Sequence, residues 1–523
     1  MKSFFTFFTA LLICTTMMFA QTTTVVQDNV ANAGSMYYFH GKKVARTSTG
    51  LLAVLWTDIG GAGGQINYSV YDNDFQVWSP GAPISNAGDR ADKPAIAADG
   101  LGVLHASWQE RGTSAENYMI MYSNYDGVNW STPVKVSLHD ADECEETSIE
   151  VDSDNNIWIA YNNDGAGEPN EFAYLVLSAD GGTTWSTEAT PISSSGLIDG
   201  SITNNRVTMM AGPDGKLAAT WHNGLPWDSA RREISFNQYD GMNWADEVII
   251  SDTTSVDRVA NWYPTVAVDN QANIYVIYHT NDLPADTLHR RYMLCQSKGW
   301  DQSWDESVTN LIYTETAGDM LGTSAVCDDN GVIHFVFQAA IPADTNGLDA
   351  NYYTFSKDGG ASWSTPLRLG REGYDGGYAT LSNRVFTEHG IDIAFRESNV
   401  PDVNDASETA VIHVNIPYEY VTALEEVAEL PSEFDLLANY PNPFNPSTTI
   451  EYTISKLGNV RLVVYDILGN EVKTLVNSEM QPGRYNVRWN GVDNNNNKAA
   501  SGVYFVSLQS SLGRTTIKLE LLK

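Results

Sequence analysis

Two histidines, His222 and His279, stand 57 residues apart, and each directly follows an aromatic residue, Trp221 and Tyr278. Imidazoles placed alike in this way suit a base and an acid of an elimination, or a pair of metal ligands; they suit equally well a structural role of hydrogen-bonding loops or water. The same place after an aromatic holds Thr57, Gln109, Asn162, Gln338 and Arg396, and one step further on stand Glu110 and Glu397. Amides, imidazoles and carboxylates beside aromatic rings are the lining that a glycan site uses, since rings cover sugar faces and polar groups bond hydroxyls. Glu110, His222, His279 and Glu397 are therefore the candidates for catalysis, and Gln109 and Arg396 for binding.

The elements that must position them form a repeat. The aromatic recurs as Trp56, Trp108, Tyr161, Trp221, Tyr278, Phe337 and Phe395, at separations of 52, 53, 60, 57, 59 and 58 residues. An aliphatic residue lies four places earlier in every copy and an apolar one lies two places earlier, as in Leu52, Val54 and Trp56. A period of two predicts a strand. Turns such as Asp99-Gly100-Leu101-Gly102 precede it, so that each copy opens with a β-hairpin. Further along two copies run Ser178-Ala179-Asp180-Gly181-Gly182-Thr183-Thr184-Trp185 and Ser356-Lys357-Asp358-Gly359-Gly360-Ala361-Ser362-Trp363, both of the form Ser-x-Asp-x-Gly-x-x-Trp. In such a turn Asp and Ser bond amides, Gly supplies a positive φ and Trp packs between strands, so the expected role of Ser178, Asp180, Gly182, Trp185, Ser356, Asp358, Gly360 and Trp363 is structural.

This motif resembles the Asp-box, or BNR repeat, of the sialidase-like propellers. A unit of two hairpins is one four-stranded blade, so the seven copies predict, in a chain whose composition reads as all-β, a seven-bladed β-propeller over residues 21–418, and the resemblance, to a family of six blades, implies the six-bladed alternative. The seventh copy ends after its third strand, so its outer strand is expected from the amino-terminal side, around Thr22 to Gln27. The mouth of such a ring collects the ends of the second strands and the starts of the innermost ones, which adds Arg90, Arg206, Arg258 and Tyr263 to the binding candidates. A sialidase would use arginines of this kind to clamp a carboxylate, and a tyrosine paired with a glutamate as nucleophile. The Arg-Ile-Pro signature of that family is absent, since Arg46 is followed by Thr47 and Ser48. The reading stays open between a glycan-directed hydrolase or lyase and a non-catalytic module that binds polysaccharide or protein.

Met1, Lys2 and the apolar run from Phe4 to Phe19 predict a signal peptide over 1–20, cleaved after Ala20, and no later stretch is apolar enough to span a membrane in the mature chain. Cys144, Cys295 and Cys327 lack metal or redox spacing. The formal net charge is −35; residues from Glu433 onward hold 8 acidic and 9 basic side chains and Lys2 lies in the signal, which leaves −37 on residues 3–432. Such a field disfavours nucleic acid and makes neutral or calcium-bridged glycans the expected ligands. No cofactor or metal is expected otherwise. Asp152-Ser153-Asp154-Asn155-Asn156 has the look of the start of a calcium loop but falls where the other copies turn.

Residues 419–438 form an acidic connector, followed by Asn439-Tyr440-Pro441-Asn442-Pro443-Phe444-Asn445-Pro446 and six short strand patterns. With Val464-Tyr465-Asp466-Ile467-Leu468-Gly469, Ser501-Gly502-Val503-Tyr504-Phe505 and Lys518-Leu519-Glu520-Leu521-Leu522-Lys523, residues 439–523 resemble the type IX secretion sorting domain, also called the Por domain. The resemblance implies a small immunoglobulin-like β-sandwich that engages the type IX secretion machinery. It also implies a protein secreted by, or held on the outer-membrane surface of, a Gram-negative, Bacteroidota-like bacterium.

Overall fold

The computed structural model describes residues 21–28, 30, 36, 41–58, 64–85, 90–111, 117–139, 143–164, 171–194, 203–224, 232–251, 261–281, 291–304, 309–315, 321–339, 349–398, 409–423, 435–440, 442, 444, 447–454, 458–480, 483–494, 497–510 and 513–522. The segment expected to be a signal peptide, 1–20, lies outside them. The chain divides into two compact units, Met1–Val421 and Thr422–Lys523. No helix among the described residues is long and apolar enough to cross a membrane.

In the first unit the described strands fall into seven antiparallel sheets, numbered 1 to 7 in chain order, the first of five strands and the others of four. Their innermost strands are Val44–Arg46, Arg90–Ala98, Glu143–Val151, Thr203–Ala211, Asn261–Val268, Leu321–Cys327 and Asp375–Leu381. Sheets 3 and 4 are joined in one ladder only by the bridge of Glu171 with Thr203. The innermost strands contact one another in cyclic order, sheet 7 returning to sheet 1. This is a β-propeller.

All seven recurring aromatics lie on second strands and are buried, Trp108, Tyr161, Trp221, Phe337 and Phe395 completely. The period-two column accounts for one face of each strand. The other face is buried too, because every sheet is covered on both sides: Leu55 and Ile66 of sheet 1 meet Trp108 and Met121 of sheet 2, and Trp158 of sheet 3 meets Trp221 of sheet 4. Ile333–Ala339 is buried at every position.

In sheets 2, 3, 5 and 6 the hairpin turn is organised by one carboxylate. Asp99, Asp152, Asp269 and Asp328 accept amides two and four residues on, and a ring donor six residues on: His105, Trp158, Tyr275 and His334. The calcium-loop look of Asp152 thus corresponds to a turn whose carboxylate already takes the amides of Asp154 and Asn156, the Asn156 side chain and the Trp158 indole, all at 2.9 Å. The Ser-x-Asp-x-Gly-x-x-Trp turns work similarly. Ser178 Oγ donates to Asp180 at 2.9 Å and accepts the Gly182 amide at 2.9 Å, while Asp180 takes the Thr184 amide at 2.7 Å. Ser356, Asp358, Gly360 and Ser362 repeat the pattern at 2.8 to 2.9 Å. Gly182 and Gly360 have φ of 87° and 83°. A Cβ on Gly182 would fall 2.2 Å from Tyr122 Oη of the preceding sheet, so the turn leans on its neighbour as closely as glycine permits. Trp185 and Trp363 are half-buried against the same interfaces, Trp185 edge-on to Tyr122 at 4.8 Å.

Sheet 7 is completed by Thr22–Gln27, which pairs antiparallel with Thr409–Ile416, as the truncated seventh copy required. Trp78 of sheet 1 donates to Thr24 Oγ1 at 3.0 Å and packs on His413 at 5.2 Å. Beneath this seam Arg46 of sheet 1 forks onto Asp392 of sheet 7, Nε at 2.5 Å and Nη2 at 2.9 Å, and His413 and Asn415 bond the same carboxylate at 2.8 and 3.1 Å. The arginine nearest to the missing sialidase signature is therefore occupied in closing the ring.

In the second unit, Asp435–Tyr440, Thr448–Ile454 and Gly483–Trp489 form one sheet. Glu471–Met480, Gly458–Tyr465, Gly502–Ser510 and Gly513–Leu521 form the other. Between them lie Ile450, Tyr452, Leu462, Val464, Trp489, Val506 and Leu519. The stretch expected as connector carries the helix Tyr418–Ala423 at its start and the strand Asp435–Tyr440 at its end. Phe444 of the proline-rich box is buried against Trp489, its ring centroid at 5.4 Å, and its backbone bonds Glu520 and Leu522 at 2.9 Å. Asn442 adds two bonds to the same strand, at Lys518 and Glu520.

The buried Arg46–Asp392 pair holds the Asp392 carboxyl far below the usual carboxylate range despite the opposing effect of burial, through its bonds to Arg46 and His413. That contribution is fully present above the unfolded carboxylate value of about 4 and is lost as pH falls through the depressed folded value. Asp392→Asn should destabilise the propeller by about 3 kcal/mol at neutral pH, because it strands a buried guanidinium. Urea unfolding of the variant and the parent should differ at pH 7 and converge in acid; equal stability at pH 7 removes the latch.

Candidate functional site

The innermost strands do not run straight to the mouth. In sheets 2 to 7 each slips register against its second strand, between Asp92 and Ala95, Glu145 and Ser148, Asn205 and Thr208, Trp262 and Thr265, Gly322 and Ser324, and Gly377 and Thr380. Five of these bulges hold a non-glycine residue in the left-handed region: Lys93, Glu146, Arg206, Tyr263 and Tyr378, with φ between 47° and 63°. Each such residue costs on the order of 1 kcal/mol. A bulge re-aims the side chain it carries, so strain of this kind, repeated at one level of the ring, marks the place where the fold gathers functional groups.

The buried column after the aromatics anchors these bulges. Gln109 Oε1 accepts the Glu146 amide at 3.0 Å, Gln338 Oε1 accepts the Tyr378 amide at 3.4 Å, and the Glu146 carboxylate accepts the Arg206 amide at 3.1 Å. Just below, Ser107 bonds Thr147 at 2.9 Å, Thr208 donates to the Pro264 carbonyl at 3.3 Å and Thr265 accepts the Ala325 amide at 3.1 Å. The sheets are thus stitched together immediately under the mouth.

The bulged side chains form a continuous line. Lys93 Nζ lies 3.0 Å from Glu145 and 3.5 Å from Glu146, and Glu146 lies 3.8 Å from Arg206 Nε. The Arg206 guanidinium stands 4.6 Å over the Tyr263 ring, which also meets His279 at 5.5 Å and His222 at 5.9 Å. Arg232 lies 3.9 Å over Trp262, and its Nη1 donates to His222 Nε2 at 2.9 Å. An arginine only donates, so His222 uses its Nε2 lone pair here and carries its proton on Nδ1, which has no partner among the described residues. Burial first, then Arg206, Arg232 and His279, push the His222 pKa well below the ordinary imidazole value, so the ring is neutral. His222 is completely buried, while Arg206, Arg232, Trp262 and Tyr263 are half-exposed. On the sheet 2 side Arg111 and Arg90 lie 4.4 and 5.6 Å over Tyr118, and burial raises the Asp92 carboxyl to about 6.

Of the candidates from sequence, Arg206, Tyr263, His222 and His279 come together. Gln109 is buried behind a bulge. Glu110 is buried and accepts the Trp108 indole at 2.8 Å; Glu397 is buried and takes Arg371 through its amide at 2.7 Å and its Nε at 2.6 Å. Arg396 is buried in sheet 7 beside Asp375 at 3.6 Å, and Arg90 stands near Asp92 at 4.0 Å. Arg258 lies outside the described residues. The sequence missed Arg232, Trp262 and Lys93. Lys93 was within reach, since it holds in sheet 2 the register place of Arg206 and Tyr263; Arg232 opens a third strand after a loop, and nothing in the repeat points to it.

Residues 446–513 match the FlgD Ig-like domain. No characterised protein matches the chain by sequence. In structure the chain resembles an ulvan lyase, a polysaccharide lyase solved with a glucuronic acid–rhamnose 3-sulfate repeat bound, at a TM-score of 0.54 and 11% identity over 76% of this chain and 96% of that one. A second structure of an ulvan lyase superposes at a TM-score of 0.55 with 10% identity, over 76% of this chain and 96% of its own. The polysaccharide lyase Uly1 gives 0.50 and 10% over 76% and 99%. The shared feature is the propeller fold, which in these neighbours carries glycan-active enzymes.

His222 accepts a hydrogen bond from Arg232 and so positions it. His222→Ala should weaken retention on a glycan by about ten-fold, and His222→Gln, whose carbonyl can accept the same N–H, should restore most of it. Affinity electrophoresis from pH 5.5 to 8 should show no step that depends on His222. A step near 6.5 that disappears in the glutamine variant refutes the neutral, positioning role.

Proposed function

We propose that the propeller acts on extracellular acidic glycans as a polysaccharide lyase. The observation that carries this reading is the Arg206 guanidinium held over the Tyr263 ring by two successive strained bulges, with Arg232, Trp262, His222 and His279 around it. A uronate offers a carboxylate next to the carbon that loses a proton, and a paired arginine neutralises that carboxylate and acidifies the carbon. The electron pair from the C5–H bond forms the C4=C5 double bond, the C4–O bond breaks, and the departing oxygen takes a proton. Tyr263 is the proton carrier in this scheme, Arg206 and Arg232 hold the carboxylate, and His222 positions Arg232. The cluster also revises the ligand expected from net charge alone, because two arginines at the mouth give an anionic sugar a local partner inside an acidic shell.

Incubated with a glucuronate-bearing polysaccharide, the protein should release oligosaccharides with an unsaturated terminal sugar, detected by ultraviolet absorbance. Tyr263→Phe and Arg206→Ala should each lower the rate by about a hundred-fold or more. The Asp92 carboxyl, raised to about 6, favours a second reading, hydrolysis with Asp92 as acid. That reading would yield saturated reducing ends at a rate falling above pH 6, where Asp92 has lost its proton. Retention without either product would make the propeller a binding module.

The architecture fits an Asp-box-type propeller of seven blades, and the tail fits export. The proline-rich box, the Val464 to Gly469 motif and the last strand belong to one immunoglobulin-like domain, which supports a type IX sorting signal of a Bacteroidota-like bacterium and a secreted or cell-surface location. Deleting residues 439–523 should leave a folded propeller in the periplasm. Undiminished secretion of that truncated chain refutes the sorting role.

A further inference from the structure

On the same end of the ring, sheets 6 and 7 enclose a group of polar atoms that have no partner among the described residues. Arg396 is 3% exposed, yet its Nε and Nη1 have no hydrogen-bond partner among the described residues, and its nearest carboxylate, Asp375, stands at 3.6 Å. Asn351 is 1% exposed, and neither its Oδ1 nor its Nδ2 has a hydrogen-bond partner among the described residues. The two belong to adjoining hairpins: Gln338 pairs with Asn351 across sheet 6, and Gly377 pairs with Arg396 across sheet 7. Between them the innermost strand carries Gly376 and Gly377. A Cβ on Gly376 would stand 3.2 Å from Asn351 Nδ2, and one on Gly377 would stand 3.1 Å from Gln338 Oε1 and 3.4 Å from Arg396 Nη2. The Tyr378 ring closes the group from the bulge, 5.2 Å from the Arg396 guanidinium.

Buried donors left unpaired are costly, and a guanidinium more so than an amide. Glu397, the adjacent carboxylate, is turned away onto Arg371, and Gln338 spends its amide on Asp349 at 2.8 Å and its carbonyl on the Tyr378 amide. What remains is a buried guanidinium with N–H groups to spare on Nε and Nη1, an amide that can donate beside it, and a strand on which two glycines stand close to both. We propose that Arg396 and Asn351, across Gly376 and Gly377, form an oxyanion subsite that takes a carboxylate or sulfate ester of a glycan, distinct from the Arg206–Tyr263 centre. A spare guanidinium N–H suits an oxyanion, and Asn351 offers one further donor and an acceptor for a neighbouring hydroxyl.

The test uses the full chain and thermal unfolding at constant ionic strength, with chloride replaced by sulfate. General salting-out stabilises parent and variants alike, so the difference between them reports the site. The parent should gain stability beyond that shared shift, saturably, and Arg396→Gln should lose the saturable part. Gly377→Ala keeps the arginine and needs no unusual backbone angle, but places a methyl group in the cradle; it should weaken sulfate by about ten-fold and serves if Arg396→Gln folds poorly. Arg206→Ala should retain the saturable shift even if it abolishes turnover, which separates this subsite from the catalytic reading. A monosaccharide sulfate or a uronic acid that saturates at lower concentration than inorganic sulfate supports a glycan as the source. Equal saturation by the free ion and the sugar overturns that source, and a saturable shift that survives in both Arg396→Gln and Gly377→Ala overturns the site.

Discussion

A ring of sheets has no free edge only if its last sheet is completed, and in this chain completion depends on two strands almost four hundred residues apart. Thr24 meets His413 across that interval, and everything between must be in place before they can meet. The seam is built accordingly. Backbone pairing supplies the register, Trp78 covers it from the first sheet, and the Arg46–Asp392–His413 network ties the first and seventh sheets together below it. Loop-closure entropy opposes such long-range pairing until it is rewarded by many contacts at once, so the ring behaves as one cooperative object. The precision of the mouth rests on this closure, because no single sheet carries the whole site.

Within the closed ring, the repeated register slip does the positioning. Bulged residues are held by amide bonds from the neighbouring sheet, as Gln109 holds Glu146 and Gln338 holds Tyr378. The strain of a left-handed Arg206 or Tyr263 is therefore borne by contacts between sheets rather than by the strand that carries it. Rigid support of this kind keeps a guanidinium over a phenol ring.

The aromatic column was legible because tryptophan, tyrosine or phenylalanine at a fixed place in a two-residue alternation has one cause, burial against the next sheet. The missing outer strand of sheet 7 was legible by subtraction. The residues just after the aromatics were misplaced in depth: Gln109, Glu110 and Glu397 were expected at the mouth but lie behind it, since the bulge makes the innermost strand, not the second, present its side chains there. A slip of register leaves no trace in composition. Arg206 and Tyr263 were found through their place at strand starts, whereas Arg232 enters from a third strand whose loop lengths differ from sheet to sheet. The strand Asp435–Tyr440 was concealed by its acidic and proline-rich surroundings.

In the second unit the Asn442–Phe444 segment is bound to the strand that ends at Leu521, from the opposite end of the same domain. Phe444 contributes its ring to the core only when residues 518–522 lie alongside it. The two ends of the domain therefore depend on each other: without residues 518–522 alongside, Phe444 leaves an apolar ring and an open sheet edge on display. Such a display is what proteases and chaperones bind, so the stability of the whole sandwich hangs on one short clasp between its first and last segments.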